Sequence, residues 1–325
     1  MKAVLCRELC DPDALAVDEV EAPAPGPGEV LIAVAAAGVN FADTLIIAGT
    51  YQTRPPFPFS PGMEAAGTVL GCGAGVTRCR PGDRVLATPD YGAFAERLVV
   101  RESDVHVLPE AMDMVTAAGF PVAYGTSHVA LAWRADLRPG EVLVVHGAAG
   151  GVGLTAVEIG KALGAEVIAT AGGPDKLRVA EAHGADHLID YRSEDIRERV
   201  KEITGGVGAD VVYDAVGGDA FDASLRSINW GGRILVIGFA GGRVPQIPAN
   251  ILLVKNVAAI GVNWGSYRTR APARLAESFA FLFDWYARGL LKPLVSATYP
   301  LADAPRALAD IKARKATGKI VLTVG

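Results

Sequence analysis

The stretch Val142–Gly164, VLVVHGAAGGVGLTAVEIGKALG, decides the fold of this chain. It begins with the β-branched apolar run Val142–Val145, which is typical of a buried parallel strand. A glycine-rich turn follows, and after it comes an apolar helical segment; the glycines are Gly147, Gly150, Gly151 and Gly153. The order of strand, glycine turn and helix is the context in which a dinucleotide-binding fingerprint is credible.

The spacing of these glycines suits a pyrophosphate. Aligned on Gly150 and Gly153, the turn reads A-x-G-x-x-G, with Ala148 where the first glycine is usual. Glycine allows a tight turn and lets backbone N–H groups approach a pyrophosphate, which then lies at the positive end of the helix. A tight βα turn in any α/β protein can look like this, so the flanking sequence has to support the interpretation.

The flanking sequence alternates between strands and helices. Further strands are predicted at Glu166–Ala171, His187–Ile189, Asp210–Asp214, Arg233–Gly238 and Val257–Val262. Helices are predicted between them at Asp175–His183, Ser193–Thr204, about residues 220–228 and Ala249–Lys255. For the second of these helices a serine cap is expected at its start. About six βα units in succession predict a doubly wound parallel sheet in an α/β fold.

The first part of the chain is rich in strands and turns. Strands are predicted at Lys2–Cys6, Glu29–Ala36, Gly67–Leu70, Arg84–Ala87 and Phe94–Val100. Many short strands at close spacing indicate a compact, partly open β-barrel, which two loops, residues 38–51 and 60–67, interrupt. Helical patterns follow over Met112–Trp133.

The end of the chain carries a helix, a strand, a second helix and a last strand, at Ala271–Arg288, Val295–Tyr299, Ala304–Ala313 and Lys319–Val324. These elements most simply return to the first domain. The chain has 325 residues, which exceeds what one core usually supports. We therefore expect three segments: a first domain over 1–120, a dinucleotide-binding domain over 121–265, and the return over 266–325.

Composition excludes several partners. The chain is 50% hydrophobic and 21% charged, as globular proteins are, and its net charge of −5 comes without any Lys/Arg-rich run. Nucleic acid and anionic membrane surfaces are therefore not expected as partners. The longest apolar stretch, Val30–Gly49, contains Asn40 and Asp43 and does not fit a membrane span. The first residues lack the apolar run of a signal peptide, so a cytoplasmic location is expected.

The cysteines indicate neither a metal site nor a disulfide framework. The chain has four, Cys6, Cys10, Cys72 and Cys79, with no CxxC pair among them. We expect ordinary packed or surface thiols.

The end of the second βα strand indicates which dinucleotide is bound. NAD enzymes place an acid about 20 residues beyond the glycine turn, where it holds the ribose 2′-OH. Here that position carries Gly172 or Gly173, and Lys176 follows. Small residues leave room for a 2′-phosphate and an ammonium can pair with it, so the sequence favours NADP(H) over NAD(H). Asp175 is the contrary signal, and we interpret it as the N-terminal acid of a helix.

The chain resembles the medium-chain dehydrogenase/reductases. Its segments AAGGVG, ALGAEVIATAGGPDK, HGADHLIDY, GADVVYDAVGG and GGRILVIGF carry the resemblance in the nucleotide domain. In the first domain GVNFADTLIIAGTY, PGMEAAGTV and PGDRV are similar to the quinone oxidoreductase, or zeta-crystallin-like, branch. The similarity continues to the closing GKIVLTV. It implies a GroES-like catalytic domain, a Rossmann domain and a homodimer, for which an edge strand such as Val257–Val262 could pair across a twofold axis.

Departures from the zinc-dependent relatives predict a metal-free protein. Those enzymes keep a cysteine where this chain has Asn40, and Gly-His-Glu where it has Gly62-Met63-Glu64. Their four structural-zinc cysteines have no counterpart near residues 85–110. Zinc needs three or four N, S or O ligands, and a single carboxylate does not hold it.

The resemblance also implies which residues bind the cofactor. Gly150, Gly151 and Val152 would contact the pyrophosphate. Lys176 and Tyr191 would flank the 2′-phosphate, for which Gly172 leaves room. A solvated lysine at a helix start and an aromatic residue at a strand end are the alternatives for Lys176 and Tyr191. Thr126 would contact the nicotinamide carboxamide, although a threonine hydroxyl bonded to its own helix is the alternative. Further contacts are expected from residues that follow sheet strands, namely Gly238, Phe239 and Asn263.

The catalytic candidates are Asn40, Asp43 and Tyr51, in the loop that carries the metal site of the zinc relatives. Asn40 and Tyr51 are expected to donate hydrogen bonds near the nicotinamide or the acceptor oxygen, with Tyr51 the best candidate proton donor. Asp43 has the alternative role of capping a short helix. Among the histidines, His146 beside the glycine turn is interpreted as a packing residue.

Without a Lewis acid to stabilise an alkoxide, direct alcohol oxidation is not expected. The resemblance implies NADPH-dependent reduction of a quinone, because a quinone spreads the added charge onto an oxygen that needs only a hydrogen-bond donor. An enoyl or 2-alkenal C=C reductase needs the same hydride geometry and stays open. A non-catalytic nucleotide-binding or RNA-binding protein is the alternative of another class, against which the acidic balance counts.

Overall fold

The computed structural model describes all residues from 1 to 325 and divides into two compact units. The first unit contains Met1–Val122, Gly265–Phe283 and Pro293–Gly325; the second contains Ala123–Trp264 and Asp284–Lys292. Relative to the expected segments, residues 284–292 belong to the second unit rather than to the first. No helix is long and apolar enough to cross a membrane, and the cytoplasmic location stays a prediction.

Fifteen strands are numbered in chain order. The first seven lie in the first unit: β1 Lys2–Leu5, β2 Ala16–Glu19, β3 Glu29–Val39, β4 Ala65–Cys72, β5 Arg84–Ala87, β6 Arg97–Arg101 and β7 Val105–Val107. Six lie in the second unit: β8 Val142–His146, β9 Glu166–Ala171, β10 His187–Asp190, β11 Ala209–Asp214, β12 Ile228–Val236 and β13 Ala258–Gly261. The last two return to the first unit: β14 Val295–Pro300 and β15 Lys319–Thr323.

Eleven α-helices accompany them. They are α1 Phe41–Ile47, α2 Met114–Ala118, α3 Pro121–His128, α4 Gly151–Ala162, α5 Pro174–Ala182, α6 Ile196–Ile203, α7 Gly218–Ser227, α8 Ala249–Lys255, α9 Tyr267–Arg270, α10 Pro272–Ala287 and α11 Ala304–Lys312. A π-helical turn, Val129–Arg134, continues α3.

The second unit is a doubly wound parallel sheet, as predicted. Its strands lie in the order β10-β9-β8-β11-β12-β13, and every neighbouring pair is parallel. Counted from β8, this is the order 3-2-1-4-5-6 of the Rossmann fold. The carboxyl ends of parallel strands share one edge of a sheet, so the turns after these strands meet along one line, which we call the nucleotide edge.

The first unit is built around the long strand β3. A seven-stranded sheet runs β14-β15-β3-β4-β5-β7, and β6 pairs with the first half of β3. In the first part of β3 alternate residues are buried, and Val30, Ile32 and Val34 form part of one apolar core; the last four residues of the strand are all buried. The second half of β3 pairs with β15 instead of β6, because Val39 lies opposite Ile320.

Several boundaries differ from the sequence predictions for local reasons. The predicted helix Met112–Trp133 is broken into α2, α3 and the π-helical turn, since Pro121 cannot continue a helix from α2 and instead begins α3. The expected serine cap is wrong: α6 begins at Ile196, and the side chain of Asp195 accepts the Glu198 amide at 2.9 Å. The short strands β2 and β7 were not predicted.

Candidate functional site

The glycine turn after β8 leaves an open space in front of α4. Gly150 is the N-cap of α4 with φ −81° and ψ 174°, a conformation that any residue adopts. A Cβ atom on Gly150 would lie 3.4 Å from its nearest neighbour, the Gly147 carbonyl oxygen, which is an ordinary contact. The fold of the chain therefore does not require glycine here, and the space above Gly150 is free for a ligand.

Gly153 differs from Gly150 because the fold itself requires it. A Cβ atom at Gly153 would lie 2.2 Å from the Gly147 carbonyl oxygen, which is backbone and cannot move aside. This close approach packs the first turn of α4 against the strand-to-helix turn. The N–H groups of the first turn, Gly151 and Val152 among them, have no partner within the helix and face the ligand end of it.

Buried hydroxyls fix the start of α4. Ser127 Oγ lies 2.8 Å from Thr155 Oγ1 and 3.0 Å from the Tyr213 hydroxyl, and it donates to the Val152 carbonyl at 3.0 Å. Thr155 Oγ1 donates to the Ala123 carbonyl at 3.1 Å. Because α3, α4 and β11 meet at these hydroxyls, the turn that would hold a pyrophosphate is anchored on three elements.

The ends of β9 and β10 form a cluster around Gly172. A Cβ atom on Gly172 would lie 2.6 Å from the Tyr191 hydroxyl and 2.9 Å from Arg192 Nε, so both side chains lie over this glycine. Asp190 Oδ1 accepts the amides of Gly173 and Arg192, each at 3.0 Å, and thereby ties the two turns together. The predicted Lys176 lies in the first turn of α5.

The cluster fits a 2′-phosphate better than a free ribose hydroxyl. Arg192 adds a guanidinium to the phenol of Tyr191, and the carboxylate of Asp190 in this cluster accepts the backbone amides of Gly173 and Arg192 through Oδ1. Asp175, the contrary signal, lies in the first turn of α5 as interpreted, and its carboxylate pairs with Arg178. The prediction missed Arg192, although its position next to Tyr191 at a strand end was a usable signal.

The remaining predicted cofactor residues follow strands of the same sheet or lie beside one of them. Gly238 and Phe239 come after β12, where a Cβ atom on Gly217 would lie 3.1 Å from the Phe239 ring. Asn263 comes after β13 and precedes Trp264, which a Cβ atom on Gly125 of α3 would meet at 2.5 Å. This approach brings the chain at Thr126, the neighbour of Gly125, close to the chain at Asn263, the neighbour of Trp264.

The alternative role for Thr126, a hydroxyl bonded to its own helix, is not found in the structure. The residue is 8% exposed, and its hydroxyl makes no hydrogen bond to its own helix or to any other group. The contact of Thr126 with the nicotinamide carboxamide stays a prediction, and the threonine hydroxyl is available for it. His146 is buried between Thr170 and Ser224, with its ring nitrogens 2.9 and 2.7 Å from their hydroxyls, which confirms its packing role.

In the first unit, three chain segments meet at the end of β3. Gly38 donates its amide to the Glu64 carbonyl at 3.2 Å, which aligns the residue before β4 with the end of β3. The pairing of Ile320 with Val39 places Lys319 next to Asn40. We call the group Asn40, Asp43, Glu64 and Lys319 the polar cluster.

The polar cluster is densely hydrogen-bonded. Lys319 Nζ donates to Glu64 Oε1 at 2.6 Å, to Asn40 Oδ1 at 2.7 Å and to the Val39 carbonyl at 3.1 Å. Asn40 Nδ2 donates to the same Glu64 Oε1 at 2.8 Å. The other Glu64 oxygen accepts the Val122 amide at 2.8 Å. Asn40 is 9% exposed, Lys319 7%, and the two carboxylates are fully buried.

Comparison with known proteins identifies the family. Residues 26–110 match the family described as the alcohol dehydrogenase GroES-like domain, and residues 151–281 match the family described as zinc-binding dehydrogenase. The chain is 39% identical to quinone oxidoreductase-like protein 2 of Rattus norvegicus over 324 residues, covering 99% of this chain and 92% of that protein. The chain belongs to the quinone oxidoreductase branch of the medium-chain dehydrogenase/reductases.

Two further relatives support membership of this branch. The chain is 37% identical to the quinone oxidoreductase of Pseudomonas aeruginosa, with 96% of both chains covered. The structure of Escherichia coli quinone oxidoreductase complexed with NADPH superposes with a TM-score of 0.94 at 33% identity, covering 99% of this chain and 100% of that one. The predicted family, the GroES-like domain and the Rossmann sheet are thus confirmed, and this branch member is an oxidoreductase.

By the resemblance stated above, two positions correspond to metal ligands of the zinc relatives: Asn40, which is part of the polar cluster, and Met63, which precedes Glu64. Asn40 and Met63 offer an amide and a thioether there, neither of which matches the thiolate and imidazole that zinc prefers. No group of three or more His, Cys, Asp or Glu side chains is placed to hold a metal ion. All four cysteines are free thiols, as expected.

Asp43 both caps a helix and carries an unusual carboxyl group. Its Oδ2 accepts the Asn40 amide at 2.8 Å at the start of α1, which is the capping role left open above. Its Oδ1 is buried and makes no hydrogen bond. Burial raises the pKa of Asp43 to about 7, although the Asn40 amide and the Lys319 ammonium oppose that rise. Protonation would remove the buried negative charge, which is the form of Asp43 that burial disfavours.

Tyr51 is a weak acid in this setting. Burial is the main cause that raises the pKa of its phenol, and the nearby carboxylate of Asp43 adds to it. The tyrosine hydroxyl thus stays protonated and able to donate a hydrogen bond.

Two basic residues near these candidates were missed by the sequence reasoning. Arg268 is 5% exposed, donates to the Thr88 carbonyl and Asp90, and holds down the pKa of Tyr51 against burial. Lys319 was quoted only as part of the closing motif. Nothing in the local sequence of either residue signals burial, since their partners lie about 180 and 255 residues away along the chain.

Proposed function

We propose that this protein is an NADPH-dependent quinone reductase that works without a metal ion. The observation that carries the proposal is the nucleotide edge: a glycine turn with free space above Gly150, next to a Gly172 that Tyr191 and Arg192 enclose. This arrangement suits a dinucleotide with a 2′-phosphate. The NADPH bound by the E. coli relative supports the same choice.

The proposed cofactor residues divide by the part of NADPH they hold. Gly150, Gly151 and Val152 offer backbone N–H groups to the pyrophosphate, whose charge the N-terminus of α4 favours. Lys176, Tyr191 and Arg192 hold the 2′-phosphate by charge-assisted hydrogen bonds over Gly172. Thr126, Gly238, Phe239 and Asn263 contact the nicotinamide half. When bound, NADPH supplies the hydride for the reduction.

The first unit is proposed as the catalytic domain that receives the acceptor. A quinone that gains a hydride delocalises the negative charge onto an oxygen, so it needs a hydrogen-bond donor rather than a Lewis acid. Asn40 has one Nδ2 hydrogen left after its bond to Glu64, and Tyr51 has a protonated hydroxyl. We assign these two groups as donors to the acceptor oxygen.

The absence of zinc from the mechanism rests on the chemistry of the polar cluster. Lys319 already brings a positive charge to Glu64 and Asn40, at 2.6 and 2.7 Å. A divalent cation placed among these groups would have to displace the ammonium or be repelled by it. The domain bounds proposed from the sequence, 1–120, 121–265 and 266–325, go with this division of roles except at residues 284–292, which belong to the second unit.

The function is tested by following NADPH consumption by the purified protein with small quinones and with short enals or enoyl thioesters. We expect turnover of quinones with NADPH and much slower turnover with NADH. Preference for the C=C substrates would instead assign an enoyl or 2-alkenal reductase. NADPH binding without turnover of any acceptor, together with tight and salt-sensitive binding of single-stranded RNA, would indicate the non-catalytic alternative.

We also propose a homodimer formed through the edge strand β13. This strand ends the sheet, and an unpaired edge can accept a partner strand across a twofold axis. The neighbouring α8 exposes Leu253 and Val254, 78% and 75% exposed, which an apolar contact would cover. Light scattering should give a dimeric mass for the wild type and a monomeric mass for Leu253→Asp/Val254→Asp. A monomeric wild type would contradict the proposal.

A further inference from the structure

Lys319 is a buried lysine whose ammonium has no hydrogen to spare. The side chain is 9% exposed, and its three N–H groups are used by Glu64 Oε1, Asn40 Oδ1 and the Val39 carbonyl. Lysine has three donors and no acceptor. Lys319 therefore cannot donate to a substrate while this arrangement holds, and any effect on the reaction acts through its neighbours.

Stability does not explain why a charge pair is buried here. Removing two charges from water costs several kcal/mol per ion, and replacing a buried ion pair by apolar residues of similar volume is often neutral or stabilising. The pair serves the backbone through two bonds, to the Val39 carbonyl and from the Val122 amide. Its bonds to the Asn40 side chain serve no backbone group, so they are candidates for a functional role.

Lys319 and Glu64 bond to different atoms of the Asn40 side-chain amide. An asparagine amide has nearly the same shape when its oxygen and nitrogen exchange places, so packing alone does not choose its orientation. Lys319 can only donate and ionised Glu64 can only accept. In the observed orientation Lys319 donates to Oδ1 and Nδ2 donates to Glu64. In the reversed orientation the donor Nδ2 would face the donor Lys319, and the acceptor Oδ1 would face the acceptor Glu64.

We propose that Lys319 is a positioning residue that, together with Glu64, fixes the Asn40 amide in the one orientation that presents its second Nδ2 hydrogen to the acceptor oxygen. The reversed amide would present a carbonyl oxygen to that oxygen and would oppose the charge that develops during reduction. The role of Asn40 as donor rests on the proposed function above; the fixed orientation does not.

The same ammonium acts on Asp43. Lys319 lowers the pKa of Asp43 and Glu64 raises it, with the influence of Lys319 the larger of the two. The backbone amides of Asn40 and Gly62 also lower the pKa of Asp43. The charge of Asp43 in turn raises the pKa of Tyr51. Removing Lys319 therefore raises the pKa of Asp43 further.

The test compares a charge-free polar cluster with the wild type. Lys319→Met alone would leave Glu64 buried without its ion pair and could prevent folding. The double variant Lys319→Met/Glu64→Gln removes both charges. Its new glutamine amide can either donate to or accept from Asn40, so the Asn40 amide loses its fixed orientation. Lys319→Arg keeps a donor-only cation. Lys315→Met, at an exposed lysine, is the matched control.

We expect the double variant to fold and to bind NADPH within about twofold of the wild type, because the nucleotide edge is unchanged. Its kcat should fall about 10- to 100-fold, near the effect of losing one donor to a developing oxyanion. Lys319→Arg should recover most of the lost kcat, and Lys315→Met should equal the wild type.

Nuclear magnetic resonance gives a readout that needs no turnover. The side-chain amide of Asn40 should show one well-resolved pair of 15N-bound proton signals in the wild type and in Lys319→Arg, and shifted or exchange-broadened signals in the double variant. A folded double variant with unchanged amide signals overturns the proposal, and so does one with wild-type kcat on an acceptor that the wild type turns over. If the wild type reduces neither quinones nor enones, the proposed function fails, while the amide signals still decide the orientation.

Discussion

The Lys176→Ala/Arg192→Ala variant should have a KM for NADPH about 100-fold higher than that of the wild type, and a KM for NADH about equal to that of the wild type. Each side chain is proposed to make a charge-assisted hydrogen bond to the 2′-phosphate, worth about 1.5 kcal/mol or more, and each 1.4 kcal/mol is a factor of about ten. Arg192 is exposed and Lys176 only half-buried, so salt weakens the interaction and the wild-type KM for NADPH should rise with ionic strength.

A control for this prediction lies on the same helix. Arg178 is two residues beyond Lys176 in α5, but its guanidinium pairs with Asp175. Arg178→Ala removes the same charge and should change the KM for NADPH by less than about threefold, the size expected for an exposed charge away from the ligand. Equal losses for NADPH and NADH in the double variant would show that these residues do not contact the 2′-phosphate.

The second large effect separates two glycines that lie three residues apart. Gly150→Ala should leave the melting temperature within a few degrees of the wild type and weaken NADPH binding by at least about 100-fold. The reason is that the methyl group meets only the Gly147 carbonyl oxygen at 3.4 Å in the protein, but enters the space proposed for the pyrophosphate. Calorimetry and fluorescence titration with NADPH measure the two quantities.

Gly153→Ala should behave in the opposite way. Its methyl group would lie 2.2 Å from the Gly147 carbonyl oxygen, so the turn or the start of α4 has to shift. We expect a loss of about 3 kcal/mol or more in the free energy of unfolding of the second unit, as for other overpacked sites.

A Gly150→Ala protein that binds NADPH as tightly as the wild type would place the pyrophosphate elsewhere.

The sequence predicted the second unit well because its signals are local. A β-branched run, a glycine turn and a helix lie within 23 consecutive residues, and the alternation that follows repeats the same local pattern. The wrong helix cap at Ser193 has an equally local cause, since Asp195 competes for the same role two residues later. Arg192 was missed because the residues that distinguish the dinucleotides were expected at the end of β9, whereas Arg192 follows β10.

The polar cluster could only be predicted in part, because strand register assembles it. Asn40 and Asp43 lie in one short segment and were named from the sequence. Lys319 joins them because β15 pairs with the second half of β3, across 280 residues of chain. A lysine at the start of a short strand near the end of a chain gives no sign of burial. Its role became visible only from the donors and acceptors around it.

The polar cluster is tied to the main chain as much as to itself: the Val39 carbonyl, the Val122 amide and the Asn40 amide each take one of its bonds. These backbone groups stay in place whichever side chains surround them. The residues around Tyr51, where we propose that the acceptor binds, can therefore be exchanged in evolution while the arrangement of charges in the polar cluster persists. Substrate preference and chemical competence can diverge separately in this fold, so a new acceptor does not require a new arrangement of catalytic groups.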